Sequence, residues 1–292
     1  MKKKNILWLI VFALLMPLFA LTACSDDDDD DNDSNGDKTE QTTNDGTKVQ
    51  SKKITKIVLS CAEGEEYIFD DEGKIQSRTH KYKGSVEDIK TYKYTDNMIV
   101  VEKTEVNRDT EERSVFNIEN GLIISAAQYD DNEPWRNFDY TYANGYLSTI
   151  KTSYSDSYSE RSSDITTYSF SNENITNIIE EWDSNYDSDS NGYECNFTYD
   201  NSKLNDLNVD LALLLLEEYL PDYVNGYLGK RIKNLPSSRT HKKILKTGDR
   251  QDSEVYTYNY TFEDNYPVKI DVTWLYRGGD SGMYTYEIFY NE

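Results

Sequence analysis

One phrase recurs along most of the chain and constrains its fold more than any other feature. An aromatic residue, any residue and a second hydrophobic residue are followed by a polar turn. The phrase appears as Tyr67-Ile68-Phe69, Tyr92-Lys93-Tyr94, Tyr140-Thr141-Tyr142, Tyr168-Ser169-Phe170 and Phe197-Thr198-Tyr199, with a weaker copy at Phe116-Asn117-Ile118. Taken at the second hydrophobic residue, positions 69, 94, 118, 142, 170 and 199 are spaced 25, 24, 24, 28 and 29 apart. A fixed period in that range marks one supersecondary unit per repeat. Alternation of period two puts Tyr92 and Tyr94 on one face of a strand and Lys93 on the other. Asn120-Gly121, Asn144-Gly145 and Glu72-Gly73 supply the positive φ that tight hairpins require. The unit is therefore a pair of antiparallel strands, giving roughly a dozen strands before residue 208.

Asp210 to Leu220 breaks the rhythm. Leu211 to Leu216 is apolar on every side, Asp210 is a good N-cap and Pro221 ends the run, which predicts one buried helix near 210–220. Strand grammar resumes near Lys242, through Tyr256 to Ile270 and Tyr284 to Ile288. The fold class is all-β: a long antiparallel meander of roughly 15 strands. A sheet of that size curls or closes, so a curved or barrel-like form is expected, its aromatic face covered by the opposite wall or by the helix. The lipid face of a membrane barrel is aliphatic with aromatic girdles, whereas here Tyr runs along whole strands and the alternate face is charged.

Upstream, Lys2 to Lys4 and the apolar run Ile6 to Ala20 read as a secretory signal, too short for a membrane span. Leu21-Thr22-Ala23-Cys24 resembles a bacterial lipobox, with Cys24 as the acylated residue. Asp26 to Asp31 open a stretch to Gln50 with ten acidic residues against two lysines; such a block self-repels and stays extended. It serves as a tether, and it is similar to the tract that sends Bacteroidetes-type lipoproteins to the cell surface. Three segments follow: a signal peptide at 1–23, the lipidated Cys and acidic tether at 24–50, and a single Tyr-rich β domain at 51–292. The expected location is an outer-membrane lipoprotein, at the cell surface or on the periplasmic face, whose membrane partner is reached through the lipid anchor.

Tyr227-Leu228-Gly229-Lys230-Arg231-Ile232-Lys233-Asn234-Leu235-Pro236 and the run Tyr256 to Ile270 resemble the C-terminal hallmark of a Bacteroidetes lipoprotein family of unknown function. The resemblance implies a porin-like antiparallel β fold and an envelope location, and lends no catalytic residue. The repeat style is also similar to the tyrosine-aspartate repeats of Rhs-type surface proteins.

A net charge of -23 argues against nucleic acid as a partner, since phosphate contacts need cations. Two His and three Cys exclude a Cys/His zinc centre of standard spacing. No Gly-x-Ser-x-Gly elbow, phosphate loop or His-Glu-x-x-His is present, so the chain reads as a non-enzyme. Asp187, Asp189 and Asn191, with Gly192 to turn the chain, match the first half of a calcium loop, which makes calcium the one cofactor to consider; the bland reading is an acidic hairpin. His80 and His241 share the string Ser-Arg-Thr-His-Lys, read as a repeat remnant at two exposed strand positions. Cys61 and Cys195 could oxidise to a disulfide outside the cytoplasm, but they fall on strands 134 residues apart, and free buried thiols are the default expectation. Trp182 and Trp274, the latter near Arg277, are candidate ligand contacts on an outer-face aromatic patch, with a glycan or a protein as the ligand. The functional classes are a displayed binding module, a structural envelope lipoprotein and, remotely, a glycan-active enzyme. Cys24→Ser should move the protein from the membrane fraction to the soluble fraction; fractionation and immunoblotting check this, and unchanged partition would refute lipidation.

Overall fold

The structure, a computed structural model, describes residues 52–106, 111–155, 161–184 and 189–291. Cys24, Asp26 to Asp31 and Asp187 lie outside the described residues. Sixteen strands follow in order: β1 Ile54–Ser60, β2 Glu63–Phe69, β3 Ile75–Tyr82, β4 Ser85–Tyr94, β5 Met98–Glu105, β6 Glu111–Glu119, β7 Leu122–Asp130 and β8 Glu133–Ala143. They continue as β9 Tyr146–Tyr154, β10 Arg161–Ser171, β11 Asn174–Ser184, β12 Ser190–Leu204, β13 Asn234–Leu245, β14 Arg250–Glu263, β15 Tyr266–Tyr276 and β16 Ser281–Tyr290. Each pairs antiparallel with its neighbour in the chain, and β16 returns to β1, so the expected meander closes into a barrel. Closure leaves no free sheet edge.

Six connections are two-residue hairpins in which both central residues have positive φ: Lys83-Gly84, Asn120-Gly121, Asp131-Asn132, Asn144-Gly145, Asn172-Glu173 and Asp264-Asn265. Their backbone twist matches the twist of the strands they join. Alternation then sorts the wall. On β8, Phe138 and Tyr140 face inward and are buried, while Asn137, Asp139 and Thr141 face outward and are exposed. On β14, Tyr258 is buried between exposed Thr257 and Asn259. The aromatic face written into the repeat is the inner face of the barrel.

Sixteen strands enclose more room than inward side chains fill, and wide barrels hold either a channel or a plug. Here residues 205–233, between β12 and β13, enter the lumen. Leu211, Ala212, Leu213, Leu214, Leu215 and Leu216 are all buried there and join one core with the wall aromatics. The helix is shorter than predicted: α1 covers Leu211–Leu214, and a 3-10 turn covers Glu217–Tyr219. Asp210 caps α1, accepting from the Leu213 N–H at 3.0 Å. The helix stops because the Leu216 N–H bonds Leu213 O and the chain bends, which aims Glu217 and Glu218 at the wall.

The plug is stitched to one end of the barrel. Asn208 exchanges hydrogen bonds with the Ile54 backbone at 2.8 and 3.0 Å, and Asn225 donates to Gly73 O. The Lys230 N–H donates to Gly145 O at 2.7 Å. Gly229 is required at this contact, because a Cβ would stand 2.6 Å from Gly145 O and φ is +92°. The start of β1 and the end of β16 lie at this same plugged end.

Asp210 is the hub of the plug. Its carboxylate also accepts from Asn205 Nδ2 at 2.6 Å and from the Ile232 N–H at 3.3 Å. Asp210→Ala would strand three buried donors and should cost about 3 kcal/mol, read as a lowered urea midpoint. Thr257→Ala, on the outer face, should change stability by less than about 0.5 kcal/mol.

Candidate functional site

The plug tip carries three carboxylates, and the wall meets them with cations. Tyr67, Arg78, Lys90 and Lys103 stand side by side in cross-strand register on β2, β3, β4 and β5. Like charges so placed repel, so each must be answered. Arg78 pairs with Glu65 of β2 and lies 3.9 Å from Glu217 of the plug. Lys90 pairs with plug Asp222, whose other oxygen accepts from Ser114 at 2.7 Å. Lys103 is held by Glu105 and Glu112 at 2.7 and 3.2 Å. On the far wall Arg239, buried and stacked 3.9 Å above the Tyr256 ring centroid, binds Glu218 at 2.5 Å.

The shared string Ser-Arg-Thr-His-Lys thus acts through its arginines. Arg78 and Arg239 hold the consecutive residues Glu217 and Glu218 from two sides. The histidines are not exposed, as read from sequence, but half-buried on the lumen side, where the carboxylate of the next strand engages each. His80 Nδ1 lies 3.1 Å from Asp88, and His241 Nδ1 lies 3.7 Å from Glu254. Burial lowers the pKa of His241, against the pull of Glu254.

Beyond the plug tip the lumen becomes polar. A cavity of about 140 Å³ is lined by Arg136, Thr152, Tyr154, Glu180, Glu218 and Pro221, among others. The Arg136 guanidinium stacks on Trp135 and Tyr154, with centroid distances of 4.5 and 4.7 Å. An aromatic arc continues along the same end: Trp182 meets Tyr193 edge-on at 5.1 Å, and Tyr193 lies 4.6 Å from the His241 ring. Further round, Trp274 contacts Tyr276 at 5.1 Å and covers Gly282, where a Cβ would fall 2.4 Å from the indole.

This corrects the sequence reading of Trp182 and Trp274. Neither lies on the outer face. Trp182 shares the inward side of β11 with Ile178 and is only 8% exposed, and Trp274 shares the inward side of β15 with Ile270 and Val272. Period-two alternation places them there, once the buried face is known to be the lumen. Arg277 lies in the exposed turn after β15, its N–H donating to Ser253 O. Of the calcium-loop residues, Gly192 is a strand residue paired with Ile244, not a turn. Asn191 also lies on β12, and the Asp189 carbonyl accepts from the Lys246 N–H. Among the described residues no three His, Cys, Asp or Glu side chains gather as a metal site. Cys61 and Cys195 are free; Cys195 is buried as expected, and burial pushes its thiol up to about 11, whereas Cys61, in the turn between β1 and β2, is exposed.

The outer wall carries charged residues at mid-strand, among exposed apolar ones such as Ile165 and Val255. Asp139 pairs with Lys151 across β8 and β9, and Lys269 opposes Glu287 across β15 and β16. A Lys at bilayer depth would cost about 2–4 kcal/mol, so this wall suits water. The molecule is of the class of plugged, closed antiparallel barrels, here with charged residues on the outer wall. The chain belongs to the family described as a domain of unknown function (DUF4595) with porin-like fold, whose model matches residues 68–269. It is similar to a porin-like protein from Bacteroides vulgatus ATCC 8482, at 18% identity and a TM-score of 0.55, over 82% of this chain and 99% of that one. At that identity the likeness speaks to fold alone. No curated protein matches the sequence.

Arg78→Met would leave Glu65 without its cation in the interior and should cost about 3 kcal/mol. Lys93→Met, which breaks an exposed pair with Glu102, should cost less than about 1 kcal/mol. Chemical denaturation of the two variants checks the contrast.

Proposed function

We propose that the protein is a lipid-anchored envelope protein whose barrel presents a binding vestibule at the end opposite the plug stitches, and that its ligand is a neutral glycan. One observation carries this reading: Tyr154, with the Arg136 guanidinium stacked on it, lines a polar, concave cavity, and the Trp274 and Tyr276 rings lie further round the same end of the barrel. Small-molecule pockets are usually lined by apolar groups with few polar ones. Here hydroxyl, carboxylate and guanidinium groups dominate, which suits a ligand covered in hydroxyls. Tyr and Trp supply the apolar faces of sugar rings with a partner while remaining partly wet.

Titrating neutral oligosaccharides while following Trp fluorescence tests the reading. A saturable change is expected, and Trp274→Ala combined with Tyr154→Ala should weaken binding about tenfold, the equivalent of about 1.4 kcal/mol. No saturable change with any glycan, or a change of equal affinity in the double variant, would leave a structural envelope protein as the better account.

A further inference from the structure

At one of its contacts with the wall, the tip of the plug brings a carboxyl group to a hydroxyl that a second carboxyl already shares. Tyr67 Oη lies within hydrogen-bond distance of Glu65 and, at 2.5 Å, of Glu217. Tyr67 is fully buried, and the Glu217 side chain is 21% exposed. One hydroxyl has one hydrogen and can donate to one carboxylate. The second carboxyl must bring a proton of its own, or two acceptors face each other across the phenol oxygen. Two carboxyls this close do not both ionise readily.

We propose that Glu65, Tyr67 and Glu217 form a proton-dependent latch that holds the plug tip against the barrel wall and loosens it as the pH rises. The geometry says which group holds the proton. Glu65 lies beside the Arg78 guanidinium, which stabilises its charged form. Glu217 stands 3.9 Å from the same cation, already engaged by Glu65. The phenols of Tyr92 of β4, Tyr284 and Tyr286 of β16, and Tyr223 of the plug also lie close enough to feel the Glu217 charge. None offers positive charge. Burial accordingly pushes Glu217 up to about 7, while Arg78 outweighs burial and holds Glu65 below its ordinary value.

A carboxyl with a raised folded-state pKa stabilises the seated tip at low pH, and that stabilisation is lost as pH rises from the ordinary value of 4.5 towards about 7. Glu65 acts in the opposite sense, and its contribution disappears only in acid, as its carboxylate is protonated away from Arg78. The latch therefore holds best in mildly acidic solution and weakens through neutrality. It stands whether or not the vestibule takes a glycan. Because Glu218, Tyr219 and Pro221 line the cavity, loosening the tip would also reshape the cavity floor.

Hydrogen–deuterium exchange of residues 211–222, corrected for intrinsic rates, reads the latch directly. In the wild-type protein the opening equilibrium should rise several-fold, by at most tenfold per pH unit, between pH 5 and pH 7. Glu217→Gln keeps a donor towards Glu65 and an acceptor for Tyr67 at every pH, so its opening should be flat across that window. An equal rise in both proteins, or a flat wild-type profile, would overturn the proposal. Should Glu217→Gln fail to fold, the carboxyl carbon of Glu217, followed by NMR in the wild-type protein, gives the answer. Titration near 7 supports the latch, and titration near 4.5 refutes it.

Discussion

A closed sheet of sixteen strands must be filled, and everything else in this molecule depends on how. Inward-facing Tyr and Phe reach partway across the lumen, and residues 205–233 complete the core from inside. Without the plug, Tyr67, Phe116, Tyr140 and Tyr258 would face a water-filled channel instead of packed leucine. Without the wall, Leu211 to Leu216 would be an apolar run with no protein surface to cover it. Neither part has a plausible folded state alone, because each buries the surface that the other exposes.

Apolar packing does not by itself choose one seating for the plug, since leucines fit a lumen in several ways. The charges choose. Asp222 answers Lys90, Glu218 answers Arg239, and Glu217 meets the Glu65, Tyr67 and Arg78 group. Buried ion pairs add little net stability over good apolar packing; here their effect falls on register. A plug displaced by one residue would present Leu216 to Arg78 and leave a carboxylate stranded among phenols.

Much of this was legible in the sequence, for reasons tied to particular residues. The spacing of Tyr-x-Tyr phrases and the Asn-Gly pairs announced hairpins, because positive φ and period-two burial are local requirements. Asp210 as a helix cap was legible for the same reason. Closure of β16 on β1 was not, since nothing local in Ile54 or Tyr290 records a partner more than two hundred residues away. The site was harder still. Glu217 and Glu218, two acids ending an otherwise apolar run, and the arginines rather than the histidines of the repeated pentapeptide, were the available signals. Their meaning depended on knowing that the run sits inside a barrel. Trp182 and Trp274 were misassigned to the outside on the same account.

The order of strands along the chain has a kinetic consequence. Twelve strands are made before the segment that fills them, and the pairing that seals the barrel, β1 with β16, joins the two ends of the domain. Contacts so distant in sequence form slowly, because the intervening chain must be ordered first. Until residue 290 has emerged, the growing sheet has two bare edges and an uncovered aromatic face, the kind of surface on which partly folded chains associate. A nascent chain of this design needs protection for longer than most domains of its size, and loss of even the final hairpin would leave it permanently in that unfinished state.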